Sequence, residues 1–257
     1  MYVGIDLGGT NLRIAGSKSL ENVEFEKIER FELSKDFDDD FRRMTEKIKE
    51  ISDGRVDAIA IGTPGTYNEE GTLLISGGNS PEWVGKPFIE MMHKEFNCSV
   101  FADNDAVVAS LGEALYGQGK DKDFIYITWG TGVGGTHVKL ENEEVNSRKI
   151  PWQVYLQEVD VKCGGNGISK RFGKLGSDLE EHEWKGVMDD LEFHLEDISN
   201  KFKERNIIIG GGISSKQKHR LETIGRNLSL KEISLEISSF GDDVGLYGAM
   251  AFIKLKI

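Results

Sequence analysis

The sequence predicts an α/β protein of two similar lobes, each a mixed sheet with flanking helices. Three observations predict it. Apolar strands alternate with segments whose apolar residues recur at helical spacing. Two glycine turns, at 7–10 and 130–135, join strand directly to strand, which a purely parallel doubly wound sheet does not do. The pattern from Val3 to Ile14 (strand, small-residue turn, strand) starts over at Ile125 and marks an architectural repeat. The first lobe is assigned to residues 1–106, with the last helix, 243–257, packing back onto it. The second covers 107–242.

Each element has a local reason. Residues 2–6 form an apolar strand that runs into Leu7-Gly-Gly-Thr10 and a returning strand at 11–16. The segment around Asn22 to Leu33 reads as a third strand. Phe37, Phe41, Met44, Ile48 and Ile51 recur at steps of 4, 3, 4 and 3, a helical stripe for which Ser34 or Asp36 offers the cap. Residues 56–61 make a strand ending in the turn Gly62-Thr-Pro-Gly65, and the Gly-, Asn- and Ser-rich 66–82 reads as a loop. A helix over 86–96, a strand over 98–102 and a helix over 104–116 follow.

The second half begins with strands at 124–128 and 136–140 around its glycine turn. The pattern is weak from 141 to 180, apart from a glycine cluster at 164–167. Val187, Leu191, Leu195, Ile198 and Phe202 then mark a helix. Ile207-Ile-Ile209 is a strand entering Gly210-Gly-Gly212, with a helix expected from Ser214. The last helix carries Gly245, Gly248, Ala249 and Ala251, small residues that let another backbone come close.

Composition excludes several classes of function. The 257 residues carry 32 Lys+Arg against 44 Asp+Glu, a net charge of −12, so neither nucleic acid nor an anionic membrane is an expected partner. Hydrophobic residues at 38% with 30% charged fit a folded soluble chain. Cys98 and Cys163 are the only cysteines, too few for a disulfide framework or a four-cysteine zinc site. No apolar run approaches the ~20 residues of a membrane span, and no signal peptide is apparent. A cytoplasmic location is the expectation.

Chemistry concentrates at the turns. Asp6 ends a strand and precedes Gly8, Gly9 and Thr10. Without Cβ atoms the backbone amides can approach a phosphate, and a carboxylate there can hold Mg²⁺ directly or through water. Taken alone, this motif reads equally as an ordinary hairpin. Gly130, Thr131 and Gly132 repeat the arrangement, and two such turns could close on opposite sides of one polyphosphate. Gly210-Gly-Gly212 is a third stretch of bare backbone, or simply a tight strand–helix turn. Asp103-Asn104-Asp105 stands where a strand passes into a helix. Capping explains these residues, as does a carboxylate that takes the proton of an attacking hydroxyl.

In their order, Asp6 to Ala15, Gly62 to Gly65, Asn104-Asp-Ala with Leu111-Gly-Glu113, the Gly130 turn, Gly210-Gly-Gly212 and Gly245-Leu-Tyr-Gly-Ala249 resemble the sugar kinases of the ROK family (repressor, open reading frame, kinase). That family belongs to the hexokinase, heat-shock protein and actin superfamily. The resemblance implies an RNase H-like, actin-like ATPase fold with its active site in the interlobe cleft. It implies ATP and Mg²⁺ as cofactors, Asp6 positioning the Mg²⁺, possibly through water. Gly8, Gly9, Thr10, Gly130, Thr131 and Gly132 would line the phosphate site, with Gly211 and Gly212 near the adenosine. Gly65, Asn79, Asn104 and Asp105 would hold sugar hydroxyls, Asp105 being the catalytic base. A homodimer is the family's usual state.

The sequence departs from the family between 141 and 205. The family's Gly-Glu-x-Gly-His and Cys-x-Cys-Gly-x-x-Gly-Cys-x-Glu stretches match Trp152-Gln-Val-Tyr-Leu156 and Val161 to Lys170. Gln153 replaces the first Glu, Leu156 the His, and Val161 and Ile168 two cysteines. One thiolate cannot build a tetrahedral site, so no zinc is expected and Cys163 reads as a small turn residue. Gln153 remains a substrate-site residue, now neutral and able to donate as well as accept. The five histidines read as surface or packing residues.

The resemblance thus implies phosphorylation of a hexose, glucokinase-like, on the 6-hydroxyl. N-acetylmannosamine or another amino sugar is the alternative acceptor, and a degenerate binder without efficient catalysis is another alternative. A sugar-responsive repressor would carry a helix-turn-helix ahead of the first turn, which already begins at Leu7.

Overall fold

The computed structural model describes residues 1–142 and 144–257, whose contacts separate into two units, Met1–Tyr116 with Gly245–Ile257, and Gly117–Val244. The first boundary therefore follows the helix after Asn104, ten residues beyond the sequence-based 106.

The first unit is laid out as β1 (Tyr2–Leu7), β2 (Asn11–Ser17), β3 (Ile28–Glu32), α1 (Phe37–Ser52), β4 (Ala58–Thr63), β5 (Thr66–Tyr67), β6 (Leu74–Ser76), α2 (Phe88–Phe96), β7 (Ser99–Asn104) and α3 (Asp105–Tyr116). Its sheet has the order β3-β2-β1-β4-β7. The first two ladders are antiparallel, and β1, β4 and β7 run parallel. Every residue of β4 is buried, as expected of a short apolar strand covered on both faces. Asp36, not Ser34, caps α1: its side chain accepts the Asp39 N–H at 2.9 Å. Two expectations are corrected. The third strand shrinks to Ile28–Glu32, because 18–27 pair with no strand among the described residues. The 66–82 loop contains the small β5–β6 hairpin and a 3₁₀ turn at Pro81–Trp83.

The second unit repeats the plan with β8 (Phe124–Trp129), β9 (Val133–Glu141), β10 (Glu144–Lys149), α4 (Gln157–Cys163), α5 (Gly165–Phe172), α6 (Glu181–Phe202), β11 (Asn206–Gly210), α7 (Gly212–Lys216), α8 (Lys218–Ser229) and β12 (Ser234–Ile237). A π-helical turn over Trp152–Leu156 leads into α4. The sheet order is β10-β9-β8-β11-β12, again two antiparallel and then two parallel ladders. The described residues of the 141–180 segment, weakly patterned in sequence, include β10, the π-helical turn, α4, α5 and a 3₁₀ turn at Gly176–Asp178. Cys163 is a buried residue at the end of α4, its Sγ 3.5 Å from the Val187 carbonyl, so it belongs to the core and not to a turn.

The chain ends in α9 (Val244–Lys256), whose small residues meet the first unit. A methyl at Gly248 would lie 2.1 Å from the Val108 carbonyl oxygen, and one at Gly112 would lie 2.6 Å from the Gly248 nitrogen. Backbone contact at this crossing therefore requires both glycines. Separate apolar cores fill the two units, around Ile5, Ile14, Ile61 and Trp83 in the first and Ile127, Trp129, Leu191 and Ile209 in the second. No helix among the described residues is long and apolar enough to cross a membrane.

Candidate active site

In the first unit the candidate residues gather at the carboxyl ends of the parallel strands, where open α/β sheets bind ligands. Register sets this up: Asp6 pairs with Gly62, Gly62 with Asp103, and Thr63 with Asn104. The Gly8 N–H closes the first turn on the Asn11 carbonyl at 2.9 Å. Arg13, opposite Asp6 in the hairpin, donates from Nη1 to Asp6 Oδ2 at 2.8 Å. Behind this carboxylate sits Gly245, where a methyl would come within 2.6 Å of Asp6 Cγ. Asp6 is thus oriented by a cation and backed by a residue that must be small.

The loop proposed to hold sugar lies directly on the turn proposed to hold phosphate. A methyl at Gly9 would lie 2.6 Å from Asn79 Cβ, and the buried Ser80 hydroxyl donates to the Gly8 carbonyl at 3.0 Å. Gly65 adopts φ +122, and a side chain there would collide with the Ser76 carbonyl oxygen at 1.8 Å. Only glycine fits.

Asn104 and Asp105 mark the passage from β7 into α3. Asn104 Oδ1 accepts the Ala106 N–H at 3.1 Å while its Nδ2 donates to the Gly65 carbonyl at 3.0 Å. Asp105 is the first residue of α3, and its Oδ1 also receives the Ala106 N–H, at 2.9 Å. Capping and site-building coexist in these two residues. Tyr67, absent from the sequence-based set, hydrogen-bonds Thr63 Oγ1 at 2.9 Å. Burial raises the pKa of its phenol, and the charges of Asp103 and Asp105 add to that, so a neutral phenol stands beside both carboxylates.

The second unit holds the other half of the predicted set. Gly130 to Gly132 turn β8 into β9, closed by the Gly130 N–H on the Gly132 carbonyl at 3.0 Å. Among the described residues nothing would lie within 4 Å of a methyl at Gly130, so open space faces the backbone there. The turn rests on the glycine cluster: Gly165 N–H donates to the Gly130 carbonyl and Asn166 N–H to the Thr131 carbonyl, both at 2.9 Å. Asp160 finishes the turn by accepting the Val133 N–H at 2.7 Å. Burial raises its pKa, opposed by hydrogen bonds from Val133 and Trp152. Glycine at 164 is needed for this contact, since a methyl would lie 2.5 Å from Asp160 Oδ1.

Gly211 takes φ +102 at the end of β11, with a methyl blocked by the Trp129 carbonyl oxygen at 2.7 Å. Its carbonyl accepts from Ser214 Oγ at 2.7 Å, and Ser215 Oγ reaches Asp242 Oδ1 at 3.1 Å, beside Gly212. Since β8 and β11 are parallel neighbours, the Gly130 and Gly211 turns emerge from the same sheet edge. Gln153 is exposed on the π-helical turn, whereas Leu156 is buried in this unit's core. The residue where the family has histidine therefore packs as a hydrophobe.

Arg13, Tyr67, Ser80 and Asp160 escaped sequence reasoning. Their partners lie up to 72 positions away, and only Arg13, seven residues from Asp6 across a tight hairpin, carried a usable signal.

The sequence model of the ROK family matches residues 2–143. The glucokinase of Thermotoga maritima is 35% identical over 136 residues, 52% of this chain and 43% of that protein. The glucokinase of Halalkalibacterium halodurans is 23% identical over an alignment covering 98% of this chain and 94% of that one. A ROK family glucokinase from Streptomyces griseus, crystallised with glucose and AMPPNP, has a TM-score of 0.79 at 17% identity, with 98% of each chain covered. That likeness shows the fold, the actin-like ATPase fold with its two mixed sheets. With more than half its length matched by the family model, the chain belongs to the ROK family.

Proposed function

We propose that this chain is an ATP- and Mg²⁺-dependent sugar kinase, glucokinase-like, that phosphorylates the 6-hydroxyl of a hexose with Asp105 as base. One observation carries the reading: Asn79 packs against Gly9, so the loop offered to the acceptor sugar adjoins the turn offered to phosphate. The glucokinase names of relatives that align over much of the chain support it.

The residues present fit Mg-ATP. Bare backbone at Gly130 faces open space, and the Asp6 carboxylate at the strand end suits a cation held chiefly by phosphate oxygens and water. Bound Mg²⁺ would supply positive charge against the phosphate oxygens. Arg13 would keep Asp6 aimed. Amides at Gly8, Gly9 and Thr10, and at Gly130, Thr131 and Gly132, would meet negative charge on the phosphates. Gly211 and Gly212 would leave room for the adenosine.

Gly65, Asn79 and Asn104 would bind sugar hydroxyls and hold the acceptor oxygen before Asp105. Asp105 would take the proton of that hydroxyl as its oxygen attacks the γ-phosphorus. The bond from this phosphorus to the β,γ-bridging oxygen breaks, ADP leaves, and Asp105 passes its proton to solvent. Gln153, with an N–H donor where the family has a carboxylate, favours a second acceptor class: its amide could meet the acyl oxygen of an N-acetylated amino sugar.

A panel of hexoses, N-acetylhexosamines and polyols with Mg-ATP, read by ADP release, tests the proposal. Release that needs both a sugar and Mg²⁺ is expected. No release with any acceptor, while a sugar still raises the thermal midpoint, would leave a binding protein in place of a kinase.

A further inference from the structure

We infer that Lys35 is a positioning residue that aims the amides of the first phosphate turn and ties that turn to the Asn79 loop; the inference rests on the kinase reading for its catalytic consequence, not for its geometry. Lys35 lies just before α1, far from both segments in sequence. Its Nζ donates to the Gly9 carbonyl and, at 3.3 Å, to the Asn79 carbonyl, with Glu82 Oε1 at 3.7 Å. Two carbonyls and a carboxylate thus meet one half-exposed ammonium. The Lys35 backbone is left-handed, φ 68, a conformation that non-glycine residues hold only when their surroundings impose it.

What this does to the turn follows from peptide geometry. In a trans peptide the carbonyl of one residue and the N–H of the next point in opposite directions. Lys35 holds the Gly9 carbonyl toward the Asn79 loop, so the Thr10 N–H is aimed the other way. Ser80 Oγ does the same to the Gly8 carbonyl at 3.0 Å, which aims the Gly9 N–H. The two amides are therefore set in advance, as an anion-binding nest requires. The same ammonium touches the Asn79 backbone, so displacement of either segment strains the other. Ligand in one would be felt in the other through a single side chain.

The variants are Lys35→Met, which keeps the stem and loses the donors, and Lys35→Arg, which restores them. Hydrogen exchange on the ligand-free protein is the first readout. In Lys35→Met, amides in 8–10 and 77–80 should exchange about tenfold faster while the β4 amides stay unchanged. In Lys35→Arg they should return toward the wild-type rate. The second readout is kinetic. Lys35→Met should lower kcat/KM for Mg-ATP about tenfold, with a smaller change in sugar KM and a thermal midpoint close to wild type.

Wild-type exchange at both segments in Lys35→Met would overturn the inference. So would a loss of activity matched by a general loss of protection, which marks a merely structural lysine. If the wild-type protein transfers phosphate to no acceptor, the kinase reading falls while the exchange comparison still decides the tie.

Discussion

The Asn104 side chain bridges α3 and Gly65: its Nδ2 donates to the Gly65 carbonyl at 3.0 Å while its Oδ1 accepts the Ala106 N–H at 3.1 Å. A helix cap and a loop anchor are one residue. The amide suits both roles because it carries a donor and an acceptor on two separate atoms of one short side chain. The helix that carries Asp105 and the loop that carries Gly65 are consequently held in a fixed relation.

Asn104→Asp separates the two roles. The carboxylate still caps α3 but cannot donate to Gly65, and it leaves a carbonyl short of its partner, at a cost of about 1–3 kcal/mol. Sugar KM should rise about tenfold, with nucleotide affinity little changed. Denaturant unfolding and initial-rate kinetics check both numbers. An unchanged sugar KM would remove Gly65 and Asn104 from the sugar site.

Gly248→Ala tests the α3–α9 crossing. The added methyl must displace the Val108 carbonyl from 2.1 Å, an overpacking expected to cost about 1–3 kcal/mol. Because Gly245 of the same helix backs Asp6, activity should fall with stability. A denaturation midpoint equal to wild type would show that the crossing is looser than its geometry.

His194 gives a pH dependence with a defined sign. It is 4% exposed on α6, and its Nε2 has no hydrogen-bond partner among the described residues. Burial lowers its pKa, with the Glu158 carboxylate opposing. The unfolded chain takes up a proton near the ordinary value of about 6.5, and the folded chain only at lower pH. Stability is therefore complete above that value and is lost as pH falls through it toward the depressed folded pKa. His137, lowered chiefly by burial as well, acts in the same sense. His194→Leu should flatten the decline in thermal midpoint between about pH 7 and 5.5; an unaltered decline would place the titration elsewhere.

Both glycine turns and the doubled plan of the sheets were legible because strand, glycine and strand are adjacent in sequence. β10, α4, α5 and β12 were not. The strand β10 reads Glu-Val-Asn-Ser-Arg-Lys, too polar to alternate visibly, and β12 has four residues. The helices α4 and α5 run seven and eight residues, too short to show a period, and α5 contains glycines that read as breakers. Gly167 is required there, since a methyl would lie 2.2 Å from the Val161 carbonyl oxygen. Asp105 and the two glycine turns stood out as local motifs. Lys35, Ser80 and Asp160 act on backbone atoms that only folding brings near, and no spacing announces them.

The central assignment is Asp105 as base, and the most direct measurement is the turnover of Asp105→Asn beside its affinity for Mg-ADP. The asparagine keeps the shape and can still accept the Ala106 N–H, but it cannot take the proton of the acceptor hydroxyl. Turnover is expected to fall on the order of 10²-fold or more, with Mg-ADP affinity within about threefold of wild type. Near-normal turnover in this variant would contradict the assignment.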